Sequence, residues 1–377
     1  RHRGRFKHNK LNTSQLPSYV KIGDQYVLDQ VNLNVNTSLD DQAVKDRMLN
    51  PLRPSYFIPK CICILSIHPY IKKFQKILSD IYQYSISSSP LSLPIEKIIT
   101  NFIIEVPIPP RGLYSIDYTL IKPDKLINLA SSENNKLLLS EIDLRKFNSN
   151  LELNTILETL KHILFGSKIL FFSNNINVIT EAMLSFLYLL FPFKYPFQVT
   201  SYLGKDNYSI LESISPFMMG IKEKYVPTFF DKNDFSIEGM NVFLLDLEEK
   251  KHYLFSDEQF QDFPSKQLSF IDREIKSLEK EKLNETEFNE QYQKKFFHFF
   301  CELLKNYEDY LNMDYFKSSD SDKVTSIETL FACEKFIKNH NSNDIPFYKK
   351  FVFESQLFAD FIYKRMIPKK NQEIIDI

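Results

Sequence analysis

Between Leu153 and Asp246 the sequence switches repeatedly between two periodicities, and this alternation restricts the possible fold more than any other feature. Leu153, Ile156, Leu157, Leu160, Ile163 and Leu164 recur at the spacing of an amphipathic helix, which Gly166 ends. Lys168–Phe172 follows as a short apolar strand. Ile179, Ala182, Met183, Phe186, Leu187 and Leu190 then mark another helix, stopped by Pro192, and Asn241–Asp246 is a further short apolar run. Strands with no polar face are buried on both sides, and buried strands alternating with helices predict a layered α/β domain with a parallel sheet.

The flanks read differently. Arg1–Lys10 is basic and polar without apolar periodicity, and Tyr26–Val35 alternates loosely as a strand does. Cys61-Ile62-Cys63-Ile64-Leu65 is an apolar run short enough for a strand buried on both faces. Ile71, Phe74, Ile77, Leu78 and Ile81 predict a helix over Tyr70–Tyr84, and Ile95–Val106 predicts a second one that ends before Pro107-Ile108-Pro109-Pro110. The Ser/Pro-rich stretch Ser85–Pro94 between them reads as a linker. Tyr114–Leu120 is a further strand, and Ile121–Phe147 carries no clear pattern. From Ser269 onward strand signals vanish. Phe296, Phe300, Leu303, Leu304, Tyr307 and Leu311 predict one long helix, and Phe351, Phe358, Phe361 and Ile362 another over Phe347–Met366.

A chain of 377 residues exceeds what one hydrophobic core organises, so more than one folded unit is expected. Its 47 basic and 48 acidic side chains leave a formal charge of -1, with no global field to draw nucleic acid or an anionic membrane. Partners must be recognised by local surface. Four cysteines in a chain this long make a poor disulfide framework, and no signal-peptide pattern precedes them, which fits a cytoplasmic setting. The longest apolar run, Phe186–Phe193, contains Pro192 and is far shorter than the roughly 20 residues of a bilayer-spanning helix. The protein is expected to be soluble, or at most peripheral at a membrane.

Catalytic signatures are missing. No G-x-x-x-x-G-K-[ST] or G-x-G-x-x-G loop is present to cradle phosphates on backbone N–H groups, no G-x-S-x-G elbow presents a nucleophilic serine, and no H-E-x-x-H pair holds zinc. Cys61 and Cys63 with His68 lack the second ligand pair of a structural zinc site and read as strand thiols. The Lys276–Lys282 run reads as the solvated face of a helix. No cofactor is expected, and the residues point to a regulator or binding module.

Motif order adds to this. Tyr56-x-x-Pro59-Lys60-Cys61-Ile62-Cys63-Ile64-Leu65-Ser66 with Pro69-Tyr70, then Leu93-Pro94-Ile95-Glu96 and Glu105-Val106-Pro107-x-Pro109, open the series. Leu157 with Ile163-Leu164, Ser167-Lys168-Ile169-Leu170, Ser173, Glu181-Ala182 and Leu189-Leu190-Phe191-Pro192-Phe193 follow. Ser215-Pro216-Phe217-Met218-Met219-Gly220-Ile221, Tyr225 and Val242–Leu247 come next, and Ser355-Gln356-Leu357-Phe358-x-x-Phe361-Ile362-x-x-Arg365 closes it. In this order, from Tyr56 to Met366, they resemble the DENN domain family. Three departures stand out: residues 1–55 lack the family's usual opening, Lys194-Tyr195-Pro196-Phe197 replaces the usual Trp-Gln, and Glu248 replaces the second aspartate after Asp246.

The resemblance implies an α/β, two-lobed fold. Residues 1–55 would be a divergent start, 56–92 the end of a longin-like upstream lobe, 93–268 a central α/β segment and 269–377 a helical downstream segment. It also implies a Rab-type small GTPase as partner, nucleotide exchange as activity, and recruitment to endosomal or vesicle membranes. Asp246, Glu248, Tyr225, Ser173 and Arg111 are the candidates for the GTPase-binding surface, with a loop cap as the alternative reading of Asp246 at the carboxyl end of its strand. A non-catalytic scaffold of the same fold is one alternative. A GTPase-activating relative using Arg111 as an arginine finger is another, although a loop arginine beside Gly112 is ordinarily a solvated residue.

Overall fold

The computed structural model describes residues 62–66, 70–86, 93–109, 115–120, 126–130, 142–223, 241–255, 260–312 and 326–366. The chain divides into two compact units, Arg1–Val106 and Pro107–Ile377.

In the first unit, helix α1 (Ile71–Ile86) and helix α2 (Ile95–Ile104) follow the apolar spacing. Ile77, Ile81 and Ile98 are buried, and Phe74 meets Phe102 edge to face at 6.4 Å, which pairs the two helices. The strand expected around Cys63 is not there: residues 62–66 lie outside any strand, with Leu65 95% exposed. An apolar run specifies a strand only where a partner supplies ladder bonds, and among the described residues none pairs with it.

The second unit opens with strands β1 (Ser115–Thr119) and β2 (Leu126–Ala130), an antiparallel pair with Ser115 opposite Ala130. Helix α3 (Leu144–Asn150) is capped by Asp143, whose carboxylate accepts the Lys146 N–H at 2.9 Å. Helix α4 (Leu153–Leu164) stops where Gly166 takes a φ of 73°, the left-handed geometry that ends helices without a Cβ penalty. Strand β3 (Lys168–Ser173), helix α5 (Ile176–Leu189), strand β4 (Gln198–Thr200), a 3₁₀ helix (Lys205–Glu212), and strands β5 (Phe217–Lys222), β6 (Val242–Asp246) and β7 (Lys251–Phe255) complete the layer.

These five strands form one sheet in the order β4-β5-β3-β6-β7. The pairs β4–β5, β5–β3 and β3–β6 are parallel, as expected, whereas β7 turns back antiparallel on β6. A tight turn after β6 requires that reversal, because a parallel neighbour needs a long crossover. β3 is central, with all six residues buried. Alternate side chains go to opposite faces. Ile169, Phe171, Met218, Phe243 and Leu245 join the large core with the helices, while Leu170, Phe172, Met219, Ile221 and Leu244 pack under Leu203 and Leu211.

Downstream the chain is helical: α6 (Ser265–Leu278), α7 (Glu285–Leu303), α8 (Ile327–Leu330), α9 (Cys333–Lys338), α10 (Ile345–Glu354) and α11 (Gln356–Met366). Asn284 and Glu287 form a reciprocal capping box at the start of α7. Two expected helices are broken. α7 stops at Leu303 because Asn306 adopts a φ of 58°, and Tyr307–Tyr310 continues as a 3₁₀ turn. The helix expected over Phe347–Met366 is split at Ser355, which has an extended backbone. The buried Ser355 hydroxyl donates to the Leu164 carbonyl at 2.7 Å and accepts the Phe358 N–H at 3.3 Å, so it caps α11 and ties it to the end of α4. Ser355→Ala is expected to destabilise the protein by about 1–2 kcal/mol. Urea unfolding measures it, and an unchanged midpoint would remove the cap from the account.

Candidate functional site

Ligand-facing loops of open α/β sheets lie beyond the carboxyl ends of the parallel strands. Three of the five nominated residues meet at that edge. Ser173 ends β3, and its hydroxyl donates to Oε1 of Glu248 at 2.7 Å. The Asn174 N–H donates to the same oxygen at 3.0 Å, and the Ser173 oxygen accepts the Asn175 N–H at 3.0 Å. Asp246 ends β6, and its carboxylate accepts the N–H groups of Glu248 at 2.9 Å and Glu249 at 3.0 Å. That closes the turn into β7, with Lys250 at a φ of 59°. The Leu247 N–H donates to the Phe172 carbonyl at 2.9 Å and continues the β3–β6 ladder by one step.

Burial separates their roles. Ser173 is fully enclosed and Asp246 is 2% exposed, so neither presents its side chain to a partner. Glu248 is exposed. Asp246 is therefore a turn cap, and Glu248 is the group that another molecule can touch. Arg111 and Tyr225 lie outside the described residues.

Pattern reading passed over Leu247, which reaches between α3 and α5. There it joins Phe147, Leu151, Val178 and Ala182 around a small cleft of about 40 Å³. Lys146 and Glu181 pair across its rim at 3.1 Å. The apolar helix spacing held the signal for Phe147 and Ala182, but nothing local marks Leu247 as a cleft residue. A larger open hollow of about 270 Å³ is lined by Asp143, Arg145, Lys146, Ser149 and Glu285. Its arginine is already committed, donating to the Leu283 carbonyl at 2.7 Å and lying 4.7 Å over the Phe288 ring.

The opposite, amino edge of the sheet holds a serine and a histidine in contact. His162 Nδ1 and the Ser167 hydroxyl are 2.9 Å apart, and the imidazole stacks on Phe243 at 4.5 Å. Burial, reinforced by the Lys161 and His252 charges, pushes the His162 pKa down to about 3, so the ring is neutral near pH 7. His162 is 2% exposed and Ser167 is 1% exposed, which leaves no route for a substrate and makes the pair a structural bolt. Among the described residues no three His, Cys, Asp or Glu side chains converge as metal ligands, and no helix is long and apolar enough to cross a membrane.

The four parallel-paired strands β3 to β6 and the carboxyl-edge turn fall within residues 57–250, which match the family model described as the DENN (AEX-3) domain. The chain belongs to the DENN domain family. It is 22% identical over 242 residues to "DENN domain and WD repeat-containing protein SCD1" of Arabidopsis thaliana, covering 63% of this chain and 20% of that protein. It is also 22% identical over 331 residues to "DENN domain-containing protein 2C" of Homo sapiens, covering 86% of this chain and 34% of that protein. The chain thus spans a fifth to a third of the length of these relatives. In this DENN domain the family's motifs fall mainly on packing positions: Ser215–Ile221 leads into β5, Val242–Leu247 is β6 with its turn, and Leu190 and Phe193 are buried at the end of α5.

Proposed function

We propose that this DENN domain is a guanine nucleotide exchange factor for a Rab-family GTPase. Family membership over residues 57–250 supports the reading most directly, because DENN proteins generally act with Rab GTPases. The carboxyl edge, with its anchored Glu248, is the surface nominated for the GTPase. The proposal includes the two-lobed arrangement with a longin-like upstream lobe, and recruitment to vesicle or endosomal membranes.

Exchange forms no covalent bond. It needs a surface that binds the nucleotide-free GTPase better than the GDP-bound form, displacing the segments that hold Mg²⁺ and phosphate. A tenfold faster release asks for about 1.4 kcal/mol of such preference, which a few preorganised contacts supply. A binder with equal affinity for both forms shifts nothing, however tightly it binds.

Purified protein is therefore expected to accelerate mant-GDP release from one or more members of a Rab panel. It should also retain EDTA-treated, nucleotide-free Rab that added GDP or GTP then elutes. Retention of GTP-loaded Rab alone, without accelerated release, would replace this reading with the scaffold reading. Stimulated hydrolysis that is lost in Arg111→Ala would replace it with the activating one.

A further inference from the structure

Resting on the exchange-factor reading, we infer that Ser173 is a positioning residue whose hydroxyl holds Glu248 ready for a lysine or arginine of the bound GTPase. Ser173 is fully buried and cannot itself reach a partner, yet its hydroxyl spends its one proton on an exposed carboxylate. The bond satisfies a buried donor, and it does so through an acceptor that water would otherwise solvate and leave free to turn. On the Glu248 side, the bond fixes direction.

Oε1 takes both hydrogen bonds, from the Ser173 hydroxyl and the Asn174 N–H, while Oε2 takes none from the described residues. The backbone beneath is held as well, by the Asp246 carboxylate on the Glu248 N–H and by the Leu247 bond to Phe172. The rotamer freedom that a surface glutamate ordinarily loses on binding is already lost in the free protein.

The charge is also left open. Lys222 stands in register with Ser173 on β5 and is exposed, yet it makes no ion pair with Glu248. Lys251 is engaged with Glu249 at 3.3 Å. Glu248 pairs with no cation among the described residues. A fixed carboxylate with one free oxygen at an open sheet edge selects an N–H cation, because charge-assisted bonds are short and directional.

The test is mant-GDP release from the responding Rab with the intact chain, at low and high salt, with a denaturant midpoint for every variant. Ser173→Ala and Glu248→Gln are each expected to lower kcat/KM about tenfold, mainly through KM, and to flatten its salt dependence. The double variant is expected to lose no more than either single one, since both changes remove the same contact. A merely structural Ser173 would move the midpoint and leave the salt dependence of KM intact. Wild-type exchange together with an unimpaired Glu248→Gln, or losses that multiply in the double variant, would overturn the positioning role and leave the exchange-factor reading standing. Failure of the wild type to accelerate release from any Rab would overturn that reading, and the positioning role with it.

Discussion

Phe358→Ala is expected to lower the unfolding free energy by about 3–5 kcal/mol, the range for deleting a fully enclosed aromatic side chain. Phe358 has no exposed surface, and its ring meets Phe351 at 4.8 Å, Phe331 at 5.4 Å and Phe336 at 6.3 Å. Phe331 follows α8, and Phe336 and Phe351 belong to α9 and α10, so α11 closes an aromatic cluster that joins these three helices. The same core contains Ile169 and Phe171 of β3, and the loss should therefore register as one cooperative shift of the whole unit. Chemical denaturation followed by far-UV circular dichroism measures it. A midpoint equal to that of the parent would mean that α11 is not docked on this core.

Gly220→Ala should cost about 3 kcal/mol, the upper end of overpacking. An added Cβ would fall inside the contact distance of the Ser201 carbonyl oxygen and of Ile179 Cγ2, and 2.9 Å from the Ser201 carbonyl carbon. None of these can retreat easily. Gly220 lies in β5 between β4 and β3, its carbonyl accepts the Leu203 N–H at 2.8 Å, and Ile179 is fully buried on α5. One methyl group would thus wedge the strand from a helix on one side and from a backbone turn on the other. Thermal unfolding reads the effect, and a melting temperature within a degree of the parent would show that the close approach is not present in solution.

These two positions mark the division between what the sequence discloses and what it does not. Phe358 was legible as core because it falls on a helical stripe with Phe351 and Phe361, yet the stripe gave no sign that Ser355 divides it. A serine reads as a break only when its hydroxyl has a carbonyl to bind, and that carbonyl belongs to Leu164, far away in the chain. β6 was legible as an apolar run of uniform burial. β5 is not legible as a strand because Gly220 interrupts a short apolar run that Pro216 precedes, although a glycine suits a strand whose neighbour approaches closely. β4 and β7 are short, half-polar edge strands, specified by their partners rather than by their own pattern.

The candidate site followed the same logic. The end of an apolar strand marks Asp246 and Glu248, and the family resemblance adds Ser173, but neither signal decides which of the three faces outward. Only the register of β3 against β6 brings Ser173 to Glu248. That register depends on side chains from both faces of the sheet at once.

The register also governs the order in which the molecule can be made. β3 is synthesised early, but its two parallel neighbours arrive only at residues 217–222 and 242–246, so the central strand waits beside α4 and α5 with both edges open. Closing such distant pairings is entropically slow. The Ser173 to Glu248 bond, spanning 75 positions, forms only after the last parallel strand has seated, and the Ser355 to Leu164 bond spans 191. The carboxyl edge thus cannot assemble until β6 and its turn have left the ribosome, although the helices α6 to α11 are still to come. A nascent or C-terminally shortened chain that ends before β6 carries Ser173 without its acceptor.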